Sequence, residues 1–247
     1  MRLNQYLAKS GIASRRKAEE IIKKEKVTIN DRYVDKPYYQ VNNTDIVKIN
    51  NKKIKPAENI YILVNKPKGV TTTCFDKFAK TTILDLIPKQ IINFIKGPGK
   101  KRIYPIGRLD KNSTGLIVLT NNGDFCYKAT HPKFEIEKEY IIQLSRQLKK
   151  VDYQKAKIGV LDQGELLKVK KIKKVKNSGW PKLPPGLKVT ITEGKKRHLR
   201  RLFKKLGCPI ISLKRISIGN LRLNELKEGE CRVISSSEIQ KIFKKNG

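Results

Sequence analysis

Leu3, Tyr6 and Leu7 fall on one side of a helix, and Gly11 ends that apolar stripe. Ser14 is placed to cap a second helix, on which Ala18, Ile21 and Ile22 form the apolar face and Arg15, Arg16, Lys17, Lys23 and Lys24 the exposed one. The period then changes. Val27 to Ile29 and Tyr33-Val34 flank Asn30-Asp31, which predicts a hairpin turn, and Ile46 to Ile49 alternates as a further strand before Asn50-Asn51. Lys52 to Asn59 is polar and contains Pro56, so a linker is expected there. It divides a small module at residues 1–58 from a larger body at residues 59–247.

The larger body mixes both periods. Tyr61 to Val64 predicts a strand that runs into the turn Asn65-Lys66-Pro67-Lys68-Gly69, and Thr82 to Ile87 a short helix closed by Pro88. Ile103 to Ile106 and Leu116 to Leu119 are β-type apolar runs separated by a polar loop. Asn122-Gly123 is a turn from which a helix starts near Gly123-Asp124, with Asp124 at its N-terminus, and Glu135 to Leu144 returns as a strand. On that strand Lys138, Tyr140 and Ile142 share one face, Glu139 and Ile141 the other. Leu166 to Val175 reads as a strand whose five lysines mark a solvated edge. A last strand from Val189 stops at Gly194, and a basic helix follows with Leu199, Leu202, Phe203 and Leu206 on its buried face.

Charge changes the picture most. With 56 Lys and Arg against 22 Asp and Glu, the formal net charge is +34, far more than solubility requires. Such a field attracts polyanions by releasing their counterions, so nucleic acid is the expected partner. A lysine-rich genome accounts for part of the excess, but not for arginines grouped at Arg15-Arg16, Arg108, Arg197 and Arg200-Arg201. The longest apolar runs are about five residues against the roughly 20 needed to span a bilayer, and no apolar leader stands at the start; a cytoplasmic protein without a membrane partner is expected. Cys74, Cys126, Cys208 and Cys231 are widely spaced, as are His131 and His198, so neither a metal site nor a disulfide framework is expected.

Two segments hold candidate chemistry. Asp110 stands in the polar loop between the runs at 103–106 and 116–119, a placement that serves a catalytic loop or an ordinary turn equally well. The junction from Gly194 into the last basic helix gathers Lys195, Lys196, Arg197 and Arg200, where helix N–H groups add to the attraction for anions. Gly97-Pro98-Gly99-Lys100-Lys101 lacks the Gly-x-x-x-x-Gly-Lys-Ser/Thr frame of a phosphate loop and reads as a mobile basic loop, so no nucleotide cofactor is expected.

Arg-Leu-Asn-Gln-Tyr-Leu-Ala-Lys-Ser-Gly, then Ser-Arg-Arg-Lys-Ala-Glu-Glu-Ile-Ile and Val-Thr-Ile-Asn, resemble the S4 RNA-binding domain, with Asp31 where glycine is usual. Asn-Lys-Pro-x-Gly at 65–69, Gly-Arg-Leu-Asp-x-x-x-Thr-Gly-Leu at 107–116, Glu-Lys-Glu-Tyr at 137–140 and Glu-Gly-x-x-Arg-x-x-Arg-Arg at 193–201 follow in order. Together with the module in front, the chain resembles the S4-bearing ribosomal-RNA pseudouridine synthases from about residue 1 to about residue 240. The resemblance implies an α+β protein in which an S4-like domain precedes a mixed, mainly antiparallel sheet domain. It implies that Asp110 is the catalytic nucleophile, that Tyr140 stacks on the target uracil and that Arg200 pairs with Asp110. It also implies that Arg108 helps hold the RNA opened by base flipping, with Arg15, Arg16, Lys17, Lys195, Arg197 and Arg201 as further RNA contacts.

Lys195 stands where the family commonly has Arg and His198 where it has Gln, which bears on RNA contacts more than on chemistry. Isomerising uridine breaks the C1′–N1 bond, turns the uracil and rejoins it through C5 without net redox change, so no cofactor is implied. A carboxylate is anionic at neutral pH without help, unlike a serine that needs an adjacent base. A monomer acting on ribosomal RNA is expected, with a lean towards the large subunit. The other readings are a non-catalytic RNA-binding assembly factor and a synthase acting on transfer RNA.

Overall fold

A computed structural model describes residues 1–74, 78–96, 102–175 and 186–244. These divide into two packed units, Met1–Ile60 with Ile87–Tyr104 and Leu119–Gly123, and Tyr61–Leu86 with Pro105–Val118 and Asp124–Gly247.

The first unit opens with helices α1 (Leu3–Lys9) and α2 (Arg15–Lys24). The Ser14 side chain accepts a hydrogen bond from the Lys17 amide at 3.3 Å, closing the start of α2 as its sequence position predicts. Strands β1 (Val27–Ile29), β2 (Arg32–Tyr33), β3 (Val47–Ile49) and β4 (Lys52–Ile54) form an antiparallel sheet in the order β2-β1-β3-β4. Leu3, Leu7, Ala18 and Ile22 from the helices pack against Val27, Ile29, Val47 and Ile49 from the sheet. Asn30-Asp31 and Asn50-Asn51 have φ between 47° and 65° and make the two tight hairpin turns. The second of these corrects the linker boundary: Lys52–Ile54 is a paired strand, and irregular chain begins at Lys55. Helix α3 (Lys89–Lys96) follows Pro88, whose carbonyl accepts from the Ile92 amide, so this proline begins a helix, while Ile83–Leu86 before it is a single 3₁₀ turn. The basic loop expected at Gly97–Lys101 lies outside the described residues.

The second unit is built on a nine-stranded sheet. Its strands are β5 (Tyr61–Lys66), β6 (Tyr104–Pro105), β7 (Thr114–Thr120), β8 (Lys138–Leu144), β11 (Lys171–Val175), β12 (Gly186–Ile191), β13 (Ile210–Ile218), β14 (Leu221–Arg222) and β15 (Cys231–Val233). The order is β11-β12-β8-β13-β7-β5-β15, with β14 on β13 and β6 on β7. The β13–β7 pair is parallel, whereas β11–β12, β12–β8, β13–β8 and β15–β5 are antiparallel, which is the mixed, mainly antiparallel sheet expected. Between β8 and β12 the chain adds α5 (Lys150–Ile158) and the hairpin β9 (Val160–Asp162) and β10 (Glu165–Leu167), so the lysine-rich run from Leu166 is the end of one strand and the whole of another. Strand β8 starts at Lys138 because Glu135 takes φ 49°.

Two apolar clusters flank this sheet. Tyr140, Ile142, Val189, Ile191 and Leu213 pack on Leu199, Leu202 and Phe203 of α6 (His198–Lys205); Leu63, Leu116 and Val118 pack on Phe125 of α4 (Gly123–Thr130). Gly115 fixes the central crossing. A Cβ there would stand 2.2 Å from the Arg215 carbonyl oxygen on the paired strand, and φ is 104°, so only glycine fits. Among the described residues, no helix is long and apolar enough to cross a membrane.

Candidate active site

Asp110 sits in the loop that leads into β7, and every backbone carbonyl from 109 to 112 has a donor. Thr72 Oγ1 donates to Leu109 O at 2.8 Å, and the Ser113 amide to Asp110 O at 2.9 Å. Lys111 O accepts from the Gly69 amide at 2.9 Å and from Lys66 Nζ at 3.3 Å, and Asn112 O accepts from an Arg200 guanidinium nitrogen at 2.9 Å. A loop pinned at four consecutive peptides holds its side chain in a fixed place.

The Asp110 carboxylate itself stays open, with its side chain 40% exposed, while the Arg200 side chain behind it is 15% exposed. Arg200 Nε lies 3.7 Å from Asp110 Oδ2, an ion pair longer than a hydrogen bond. Burial lowers the Arg200 pKa from its ordinary value, the Asp110 charge pulls it back up, and neighbouring Arg197 lowers it further. Lys66 is the second buried cation. Its residue is fully enclosed, its ammonium also donates to Pro67 O at 2.8 Å, and burial pulls its pKa down to about 8 against the opposing pull of Glu228 and Asp110.

Asp110 and Arg200 open on a cleft of about 590 Å³ lined also by Arg108, Tyr140, Lys195 and Arg197 among others. The structure therefore brings together six of the ten residues singled out in the sequence. Tyr140 is only 7% exposed and belongs to the apolar cluster beneath α6, so its ring is at once core and cleft wall. Arg197 takes φ 51° at the N-cap of α6, a left-handed conformation that a residue with a side chain adopts at a cost. Lys195 is partly engaged, donating to Leu166 O at 2.7 Å and lying 3.2 Å from Glu193.

His198, in the same wall, is 4% exposed; Nε2 lies 3.0 Å from Lys168 O, and Nδ1 is buried without a partner among the described residues. With Nε2–H donating to that carbonyl, Nδ1 is left as an acceptor, and burial lowers the imidazole pKa.

Four of the ten lie elsewhere. Arg15, Arg16 and Lys17 are exposed on the first turn of α2 in the N-terminal unit. Arg201 faces the β9–β10 hairpin, with Nε 2.6 Å from Asp162 and a terminal nitrogen 2.5 Å from Glu165, so its guanidinium is ion-paired to that hairpin and lies outside the cleft lining. Sequence reasoning passed over Lys66, Thr72 and Ser113. The signal for Lys66 was its place in Asn-Lys-Pro-x-Gly; Thr72 and Ser113 have none beyond their nearness to the motifs. Among the described residues, no group of three or more His, Cys, Asp or Glu could hold a metal ion.

An N-terminal helix-helix-sheet module and a mixed-sheet body with an aspartate–arginine pair in a basic cleft describe an enzyme that works on nucleic acid. Residues 60–205 match the family described as RNA pseudouridylate synthase, and residues 1–47 match the S4 domain. The chain is 35% identical to ribosomal large subunit pseudouridine synthase B of Bacillus subtilis, over 98% of this chain and 95% of that protein. It is 32% identical to the dual-specificity RNA pseudouridine synthase RluF of Escherichia coli, over 99% of this chain and 79% of that one. A solved pseudouridylate synthase structure superposes with a TM-score of 0.64 at 27% identity, covering 98% of this chain and 99% of that one. The chain belongs to the RNA pseudouridylate synthase family and is a pseudouridine synthase carrying an N-terminal S4 domain.

Proposed function

We propose that this enzyme converts a uridine of ribosomal RNA to pseudouridine with Asp110 as its reactive carboxylate. The observation that carries the reading is the open Asp110 carboxylate, backed by the buried Arg200 at 3.7 Å, in a cleft walled by Tyr140 and cations. The reaction breaks C1′–N1, forms C1′–C5, releases a proton from C5 and places one on N1. Attack on C1′, attack on C6 and removal of the 2′ proton each begin from an anionic group beside the ribose, which Asp110 supplies.

The target base must leave its stack at a cost of a few kcal/mol, and stacking on the Tyr140 ring together with phosphate contacts from Arg108, Lys195 and Arg197 offsets it. Arg200 both pairs with the carboxylate and holds the loop through Asn112 O, so it fixes the distance between nucleophile and substrate. In this reading residues 1–58, with Arg15, Arg16 and Lys17 on α2, anchor the RNA and residues 59–247 perform the chemistry. The name of the Bacillus relative supports the large ribosomal subunit as the substrate.

The test is a map of pseudouridines across the RNAs of both ribosomal subunits from cells with and without the gene. The expected result is the loss of one or more sites in large-subunit RNA. An unchanged map in ribosomal RNA overturns the assignment.

A further inference from the structure

The N-terminal unit has a sheet face that the proposed function leaves unused. Strand registers align Tyr33 with Thr28, Thr28 with Lys48 and Lys48 with Lys53, so one row of side chains crosses all four strands. At a strand spacing of about 4.8 Å the row spans about 14 Å. The neighbouring row, Ile29, Val47 and Ile54, packs with α1 and α2, and successive side chains along a strand point to opposite faces. The Tyr33 row therefore stands on the side away from both helices and from the basic turn of α2.

Its chemistry is specific. The Tyr33 residue is 60% exposed, a ring standing at one edge of the sheet. Lys53 is exposed on the other edge strand. Between them the Lys48 ammonium is held 2.6 Å from Asp31, which lies in the hairpin turn next to Tyr33, and Thr28 is buried as the floor of the row. A single exposed aromatic is ordinary on a protein surface, and one ring offers too little apolar area to seat a protein. An exposed ring at one edge and the Lys53 ammonium at the other, with the Lys48–Asp31 ion pair between them, in a chain of net charge +34, match instead the demands of a single-stranded polyanion: a π-face for a base and cations for its phosphates.

We propose that this outer sheet face is a second RNA-contact surface, on which Tyr33 stacks on an unpaired base while Lys53 holds an adjoining phosphate and Lys48 exchanges its exposed Asp31 partner for another. The inference rests on the RNA-binding reading of the N-terminal unit and extends it to the face opposite α2. A folded RNA gripped on both sides is fixed in orientation as well as in place, which phosphate contacts on one helix do not achieve alone.

The test measures binding of the full-length protein to a single-stranded oligoriboadenylate of about twelve nucleotides. Tyr33→Ala is expected to weaken binding by about 5- to 150-fold, and Tyr33→Phe to stay within about twofold of wild type. The Lys48→Gln, Lys53→Gln double variant is expected to flatten the salt slope by about 1.4. Melting temperatures report folding, and the lysine pair supplies the readout should Tyr33→Ala fold poorly. Wild-type affinity in folded Tyr33→Ala, or an unchanged slope in the lysine pair, overturns the inference. So does unchanged RNA affinity with an altered sedimentation coefficient, the mark of a protein-docking face. An Arg15→Gln, Arg16→Gln variant separates the two levels: if it weakens binding while the sheet variants do not, only the second surface is rejected, and if wild type does not bind the oligonucleotide, the RNA reading of the unit fails first.

Discussion

Tyr140 does two jobs that pull its substitutions in different directions. Its ring is packed among Ile142, Leu213 and Leu199, and it also walls the cleft beside Asp110. Tyr140→Phe keeps the π-face and the volume, so melting temperature and RNA affinity are expected to change little. Tyr140→Ala opens a cavity and is expected to cost about 3–5 kcal/mol of stability. If the ring stacks on the base as proposed, there is a second loss: turnover per folded molecule should fall as well. Normal turnover in the folded fraction of the alanine variant contradicts a stacking role. His198 offers a test of the cleft wall by pH. In the unfolded chain a histidine takes up its proton below about 6.5, whereas burial lowers its pKa in the folded protein. The unfolded state therefore binds more protons just below that value, and stability falls as pH falls through it. His198→Gln should make the denaturation midpoint less sensitive between pH 7 and 5.5. Equal sensitivity in the two proteins shows that the imidazole is not held neutral.

Elements differ in how plainly the sequence announces them. The Ser14-capped helix, the strand bearing Tyr140 and the helix bearing Arg200 were legible because their apolar positions follow a single period and lead or end in residues with capping or turn chemistry. Strand β4 was not, because its lysines at an edge look like linker. Strand β13 was missed although it lies at the middle of the sheet: Lys214 and Arg215 interrupt its apolar run, and Arg215 is buried there with its Nε donating to Leu116 O at 2.7 Å on the neighbouring strand. The same reason hid Lys66. Lysine is almost never enclosed, and this one is enclosed by virtue of a carbonyl 45 residues away. In the candidate site, Asp110, Tyr140 and Arg200 were readable from motifs, whereas the carbonyl pins that hold the loop are long-range contacts with no local pattern. Arg201 shows the limit of reading charge alone. Adjacent to Arg200 in sequence, it points a different way around α6 and ties the β9–β10 hairpin to the helix through Asp162 and Glu165. Arg201→Gln is expected to lower the melting temperature and to leave the salt slope of RNA binding as in wild type. A slope reduced by about one, with stability unchanged, restores it to the RNA-contacting set.

At the scale of the molecule, the N-terminal unit closes one apolar cluster and the second unit two, and apart from enclosed groups such as Lys66 and Arg215 most cations stay at the surface or in the cleft. In the proposed reading the excess of 34 positive charges draws RNA in, and the pinned loop presents one carboxylate to it. That reading assigns affinity and chemistry to different residues, and a single substitution tests the division. Asp110→Asn keeps the shape of the side chain and removes its charge. Measured on a ribosomal RNA fragment, this variant should form no detectable pseudouridine while binding the fragment within about twofold of wild type. Turnover within about tenfold of wild type contradicts the central role given to Asp110.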